Sequence, residues 1–482
     1  MSERSNSSPS EVVASEIPSH QLPAVTYRDM PEAPSFWKIM GPGLVLLAGA
    51  VGSGEFVFWP LLASDIGLAL LWAAFLGVFL QYFLNTEVQR YTLATGETAI
   101  TGFARLWKPW GILFATLPIV GFLFPGIATS AMTVLTYATG WGDPVILTIL
   151  GLLAIGIAFS ISPVIYQTLE KFQFVVVGIT LAFLAVAVVM ATTLADWGEA
   201  TRGLVSFGHI PAEVDVLVLF GAVVYAGSGG LGNLTVSNWI RDKNWGMGAH
   251  IPRVVSPITG AETSAPSLGH FFPQDEANLT RWNRWWKLAK REQFWLFLVL
   301  GTLSIVVLSV LAYSTVFGQD VPEGDLAFLL AEGQAFQDAV APWFGTLFWV
   351  AGFCILFSTA VGNLDIAARV VGDSFKVGPL RESTFWSESK IYLTAIWLQV
   401  LFGVGILAAG LTAPVLLLSF SGLVGGLVIF FSSALIIKLN RKALPRTIRI
   451  GGFRLAMMIL AALFYGAFAV YVVVDSVGSL IG

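Results

Sequence analysis

Long apolar stretches separated by short polar ones set the pattern of the chain. Eleven can be counted, at roughly 40–63, 66–92, 111–138, 144–163, 172–194, 213–240, 293–317, 342–371, 389–411, 413–437 and 453–477. A helix needs about 20 mostly apolar residues to cross a bilayer. Barrel strands would be short and alternating instead. The pattern therefore predicts an all-α integral membrane protein with eleven transmembrane helices, here called spans one to eleven. The first 36 residues break the pattern. MSERSNSSPSEVVASEIPS is rich in Ser, Pro and Glu, offers little apolar surface with which to order itself, and lacks the apolar core of a cleavable signal. It is expected to be a disordered cytoplasmic tail ending near Trp37 and Lys38.

The remaining divisions follow from the same pattern. Residues 37–240 hold a first set of five spans and span six, 241–292 form the largest loop, and 293–482 hold spans seven to eleven. The loop carries Pro252, Pro257, Pro266 and Pro273 and ends in RWNRWWKLAKRE, a basic, Trp-rich segment suited to a helix lying at the inner interface. A short amphipathic stretch from Asp325 to Val340 is expected on the outer surface.

Charge adds a direction. With the N-terminus inside and the spans alternating, nearly all Lys and Arg fall on one side: Arg90, Arg105, Lys108, Lys171, Arg241 to Arg291, Arg369 to Lys390, and Lys438 to Arg454. The other side keeps Arg202 beside a group of acids. By the positive-inside rule this predicts a cytoplasmic N-terminus and a C-terminus outside, and the modest loops and short tail suit a cytoplasmic (inner) membrane protein. Composition agrees: 56% of the 482 residues are hydrophobic and 12% charged, against about 25% charged in a soluble domain. A net charge of −4 gives no argument for nucleic acid, and the single Cys354 has no intrachain disulfide partner. The partners expected are a transported ion or small solute and the lipid bilayer.

Two spans carry interruptions of the same kind. Span one contains AGAVGSGEF, with Gly52, Ser53 and Gly54. Span six contains FGAVVYAGSGGLGN, with Gly227, Ser228, Gly229, Gly230 and Gly232. Glycine costs about 1 kcal/mol relative to alanine inside a helix, so such clusters favour unwinding. Unwound backbone at membrane depth persists only where protein or a watery cavity surrounds it. Breaks in corresponding places five spans apart point to the inverted repeats of secondary transporters. Close helix packing through small residues is the alternative.

Glu55 follows the first break, and an intramembrane carboxylate is a functional candidate by default. It would bind a cation, carry a coupling proton, or alternate between them. In span eight, CILFSTAVGNLDIAARV offers Ser358, Thr359, Asn363 and Asp365 as coupling-ion ligands; the competing role for Asp365 is a pair with Arg369 at i+4. Glu87 and Arg90 have the spacing of a local ion pair, and Glu97 suits a structural role. His20, His209, His250 and His270 all lie outside mid-span, which excludes a histidine relay inside the bundle and a clustered His/Cys zinc site. Tyr225 stands at the second break, either lining a cavity or packing. No nucleophile–base pair or cofactor motif is evident, so neither an enzyme nor a bound cofactor is expected.

The opening GPGLVLLAGAVGSGE and the stretch LQYFLNTEVQRYTLATGETAITGF resemble the Nramp family of proton-coupled divalent-metal transporters, over roughly residues 38–475. The resemblance implies a leucine-transporter-type fold with a five-plus-five inverted repeat and broken helices one and six. It implies a metal site at Gly52, Ser53, Gly54 and Glu55, where the family carries DPGN, and at Ala222 and Tyr225, where it carries alanine and methionine. This chain departs from the family at its aspartate (Gly52), its asparagine (Glu55), its methionine (Tyr225) and its MPH motif. A thioether helps select softer metals, whereas carboxylate and carbonyl oxygens suit Mg, Ca or Mn. A harder divalent cation such as Mg or Mn is therefore the expected cargo, moved by alternating access, with proton coupling an option.

GSGEF and YAGSGG are also similar to the glycine-rich breaks of amino acid–polyamine–cation carriers. That likeness implies an amino acid or other small anion held by exposed N–H groups at half-helix starts, proton- or sodium-coupled. The substrate-binding set would then include Gly227 and Ser228.

Overall fold

The computed structural model describes residues 13–35, 52, 54–121, 125–161, 178, 182–251, 268–322 and 324–481. Seven of its helices are by themselves long and apolar enough to cross a membrane: Leu71–Thr95, Pro144–Ile161, Glu276–Thr315, Pro342–Val377, Glu388–Ala408, Pro414–Ala443 and Gly452–Val474. They coincide with spans two, four, seven, eight, nine, ten and eleven. The other four are interrupted or only partly described. Most of span one and part of span five lie outside the described residues, so the count of eleven is not tested.

Local chemistry explains where the helices start. Asp143 accepts from the amides of Val145 and Ile146, both at 2.9 Å, and caps span four. Asp215 caps span six through Leu217 and Val218. Ser387 caps span nine through the Lys390 amide. Pro342 and Pro414 open spans eight and ten, where the missing N–H costs nothing. Span three is divided into Pro109–Gly121 and Gly126–Thr139 with Pro125 between them, a division its apolar pattern does not announce.

Spans four and eleven turn much of their surface outward. Ile146, Leu150, Ile157 and Ile161 on one, and Leu463, Val470 and Val474 on the other, are exposed. Apolar side chains facing out are what hydrocarbon surroundings allow. The interior instead collects polar groups, each needing a partner at that depth. The amphipathic stretch at 325–340 forms the helix Ala327–Ala339, packed on span eight through the Trp349 indole, which donates to the Leu329 carbonyl at 2.8 Å.

Two expectations are corrected. Over residues 13–35 the tail is ordered, forming a strap across one face of the bundle. Its Thr26–Tyr27 pairs in parallel with His270–Phe271. Ile17, Leu22, Val25 and Met30 are buried, so this short segment does find apolar surface to cover, supplied by the loops rather than by itself. The Arg105 guanidinium donates to the carbonyls of Pro18 at 2.9 Å and Pro23 at 2.8 Å, and Glu32 pairs with Arg281 and Arg284.

The second correction concerns the Trp-rich segment. It does not lie separately on the interface. Its helix, Glu276–Glu292, runs on through a π-helical stretch, Gln293–Val299, into span seven. Trp282 and Trp285 are buried, and the Trp285 indole donates to the Pro31 carbonyl of the strap at 2.8 Å.

Candidate functional site

The two breaks meet backbone to backbone. Span one resumes after Gly52 as a π-helical turn, Gly54–Phe58, continued by Trp59–Ile66. Span six is Val216–Tyr225, then a five-residue interruption, then Leu231–Asp242. Gly229 and Gly230 have φ of +64° and +85°, values that an L side chain rarely adopts, so the glycine cluster does produce an interruption. Gly54 lies so close to span six that an added Cβ would stand 1.9 Å from the Tyr225 carbonyl oxygen. The Trp59 indole donates to the Ala222 carbonyl at 3.1 Å and locks the half-helices together.

Glu55 is fully buried at this junction. Its Oε2 accepts from the Gly52 amide at 2.8 Å, while Oε1 has no hydrogen-bond partner. A buried oxygen without a donor is costly and marks a place where a cation or proton would be stabilised. Thr359 of span eight stands beside it: a Cβ on Gly52 would lie 3.2 Å from the Thr359 hydroxyl. The Thr359 and Ser358 hydroxyls both donate to the Ile355 carbonyl, at 2.9 and 2.8 Å, leaving their lone pairs as acceptors. Ser53 lies outside the described residues.

Tyr225 stacks on Phe58, with ring centroids 6.1 Å apart. It also lines a cavity of about 40 Å³ together with Asn363, Gln399, Ser421 and the Pro125 corner of span three. The structure therefore combines both roles open to Tyr225. Asn363 belongs to this cavity. Gln399 Oε1 is buried without a partner, although its amide donates to the carbonyls of Leu364 and Ala395. Every polar side chain lining the cavity is uncharged.

Asp365 is placed otherwise. Its carboxylate accepts from Arg369 Nε at 2.8 Å and from the Tyr392 hydroxyl at 2.7 Å. Arg369 reaches on to Asp242 at the end of span six, at 2.5 Å. Arg241 likewise pairs with Glu388 at 2.7 Å. Of the two roles open to Asp365, the structure shows the ion pair, which removes it from the free cation ligands. The Glu87–Arg90 pair is present at 2.7 Å, and Glu97 is held by Arg105 and Tyr91.

Sequence reasoning passed over Gln81. Its Oε1 accepts from the Ser228 amide at 2.8 Å and from Asn233, while its Nε2 donates to the Val224 carbonyl at 2.9 Å and to the Tyr465 hydroxyl. One side chain thus satisfies backbone just before the second break and within it, and an added Cβ on Gly227 would meet Gln81 Oε1 at 2.5 Å. Asn85, a turn further on, bonds Asn233 and Gln293, and Gln89 bonds Glu292. The signal was visible: Gln81, Asn85 and Gln89 recur every four residues along span two. Among the described residues no group of three His, Cys, Asp or Glu side chains is placed to hold a metal.

No family profile and no curated protein matches the chain. Solved structures do. Two variants of the manganese transporter of Eremococcus coleocola superpose with a TM-score of 0.68, at 13% and 14% identity, over 98% of this chain and 92% of theirs. A nucleobase-cation-symport-1 transporter in a closed conformation superposes with a TM-score of 0.50 at 12% identity, over 90% of this chain and 92% of its own. The likeness shows the fold: a leucine-transporter-type helical bundle in a multi-pass membrane protein, as the paired breaks and the resemblance predict.

Proposed function

We propose that this protein is a secondary active transporter working by alternating access about the paired breaks, with a divalent metal cation as cargo and a hard ion such as Mn²⁺ or Mg²⁺ favoured. The observation that carries this reading is Glu55: a buried carboxylate at the first break with one oxygen capped by the Gly52 amide and the other unpartnered. An intramembrane acid in that state is a cation or proton site by its electrostatics. The carbonyls of the two breaks and the Tyr225 hydroxyl complete an oxygen-only donor set, which matches hard cations. Thr359, across from Gly52, and Ser358 before it suit a coupling ion. The manganese-transporter fold supports the choice of cargo. The strap face, which bears the basic residues, is assigned to the cytoplasm, with the C-terminus outside.

Influx into proteoliposomes tests this reading. Saturable uptake of Mn²⁺ or Mg²⁺ by the purified protein is expected, with loss of at least about tenfold in Glu55→Gln, since a charge-assisted contact is worth about 1.5–3 kcal/mol. Absence of uptake of both ions overturns the metal reading.

The cavity at Tyr225 favours a second reading. Its polar groups are hydroxyls and amides with no charge among them, a lining suited to an amino acid or other small polar solute, with Glu55 then serving the coupling proton or sodium. Uptake of labelled amino acids without metal uptake would select it.

A further inference from the structure

A second concentration of charge lies away from the breaks, where the inner ends of spans two and eleven meet the start of span seven. Three cations converge on one indole. The Arg90 guanidinium stands 4.0 Å from the Trp286 ring centroid, that of Arg454 5.1 Å, and the Lys290 amine 5.5 Å. One acid serves them. Glu87 accepts from Arg90 at 2.7 Å and from Arg454 at 2.6 Å and also from Asn440, so its oxygens are fully used. Lys290 feels the neighbouring charges of Arg454, Arg90 and Lys287 against that of Glu87 alone. The cluster therefore has more positive charge than the protein neutralises.

An apolar strip begins where the cations end. Arg454 also stands 5.2 Å from the Phe83 ring centroid, and Phe83 packs edge-on against Phe453 at 5.8 Å. Phe453 is 65% exposed, Trp295 53% and Phe294 41%. Phe294 contacts Tyr82 and Trp295, so the exposed rings are continuous with the helix surfaces that face hydrocarbon.

We propose that this junction is a binding site for an anionic phospholipid, with its phosphate on Lys290 and Arg454 and its acyl chains along Phe453, Phe294 and Trp295. Charge complementarity selects the headgroup, and the aromatic strip distinguishes a lipid from a free anion. Basic pockets between spans on the cytoplasmic side are the usual seats of such headgroups. The site is separate from the transport path and does not depend on what the protein carries. An occupant here would bridge spans two, seven and eleven and so steady the helix that carries Gln81.

The test uses the purified full-length protein in detergent, with native mass spectrometry and thermal unfolding as readouts. The probes are dioleoyl phosphatidylglycerol, dioleoyl phosphatidylcholine and inorganic phosphate. Retention of phosphatidylglycerol over phosphatidylcholine, with a raised Tm, is expected. Lys290→Gln and Lys287→Gln should each weaken that preference about fivefold, the effect of about 1 kcal/mol per basic residue at a membrane surface. Phe453→Ser, at an exposed position, should weaken retention of phosphatidylglycerol while keeping the elution volume. Equal retention of the two lipids, or unchanged retention by the lysine variants, would overturn the proposal. A Tm rise with inorganic phosphate as large as with phosphatidylglycerol would reduce the site to a simple anion site and overturn the lipid assignment.

Discussion

Gly54 and Glu55 do opposite things within two consecutive residues. Gly54 supplies nothing but closeness: its missing Cβ lets the first break rest on the Tyr225 carbonyl. Glu55 supplies a buried carboxyl group at the point that closeness creates. Gly54→Ala should force the half-helices apart, because neither backbone has a flexible end to yield, and overpacking of this kind costs about 1–3 kcal/mol. The expected result is a folded but less stable protein with little transport, read as a lowered Tm together with lost uptake. Thr359 makes a finer test. Thr359→Val keeps the shape and removes one oxygen beside Gly52. If that hydroxyl is a coupling-ion ligand, the apparent affinity for the coupling ion should fall roughly ten- to a hundredfold, with cargo affinity little changed. An unchanged coupling-ion dependence would take Thr359 out of the site.

Broken helices solve one problem and create another. They free backbone groups to meet a substrate, yet groups that do not meet one must be satisfied inside the bundle. Span two does this through Gln81, which holds Val224 C=O just before the second break and Ser228 N–H within it. Gln81→Leu keeps the volume but strands both backbone groups, at about 1–3 kcal/mol each. It should lower Tm clearly more than Gln89→Leu, whose bond to Glu292 is long at 3.5 Å. The breaks themselves were legible in the sequence, since glycine clusters carry their own conformational signal. Their partners were not. A glutamine in an apolar span looks the same whether it faces a break or a neighbouring helix, and only its four-residue repeat with Asn85 and Gln89 hints at a buried stripe. Asp365 shows the same limit: its spacing to Arg369 admits both a pair and a ligand, and the pair is decided by Tyr392 and Asp242, far away in the chain. The division of span three at Pro125 was hidden because its flanks are equally apolar.

Among the described residues, the ion pairs other than Arg202–Glu199 lie at the basic ends of the spans and in the segments that join them. There the ends of spans six, eight and nine are tied by Asp242–Arg369 and Arg241–Glu388, and the strap lies across the adjoining loops. Composition made the tail look disordered because it is poor in apolar residues. The few it has, Ile17, Leu22, Val25 and Met30, are buried nonetheless. The strap precedes span one in the chain and is pinned to the helix that leads into span seven by the Trp285 indole and the Glu32 ion pairs. Its anchor is electrostatic. Burial alone would raise the Glu97 carboxyl, but Arg105, with the Tyr91 hydroxyl and the Gly269 amide, holds it below the usual range, and the same Arg105 grips the carbonyls of Pro18 and Pro23. A depressed carboxylate contributes stability that is complete above its unfolded value, near 4.3, and is lost as pH falls through its folded value. Strap docking should therefore be insensitive to pH from neutrality down to about 4 and fail only below it. Limited proteolysis between residues 13 and 35 across that range would report it. Glu97→Gln should remove the anchor at neutral pH, leaving the strap cleavable where the unaltered protein resists. Equal resistance in that variant would mean that the apolar contacts and the Thr26–Tyr27 pairing hold the strap without the ion pair.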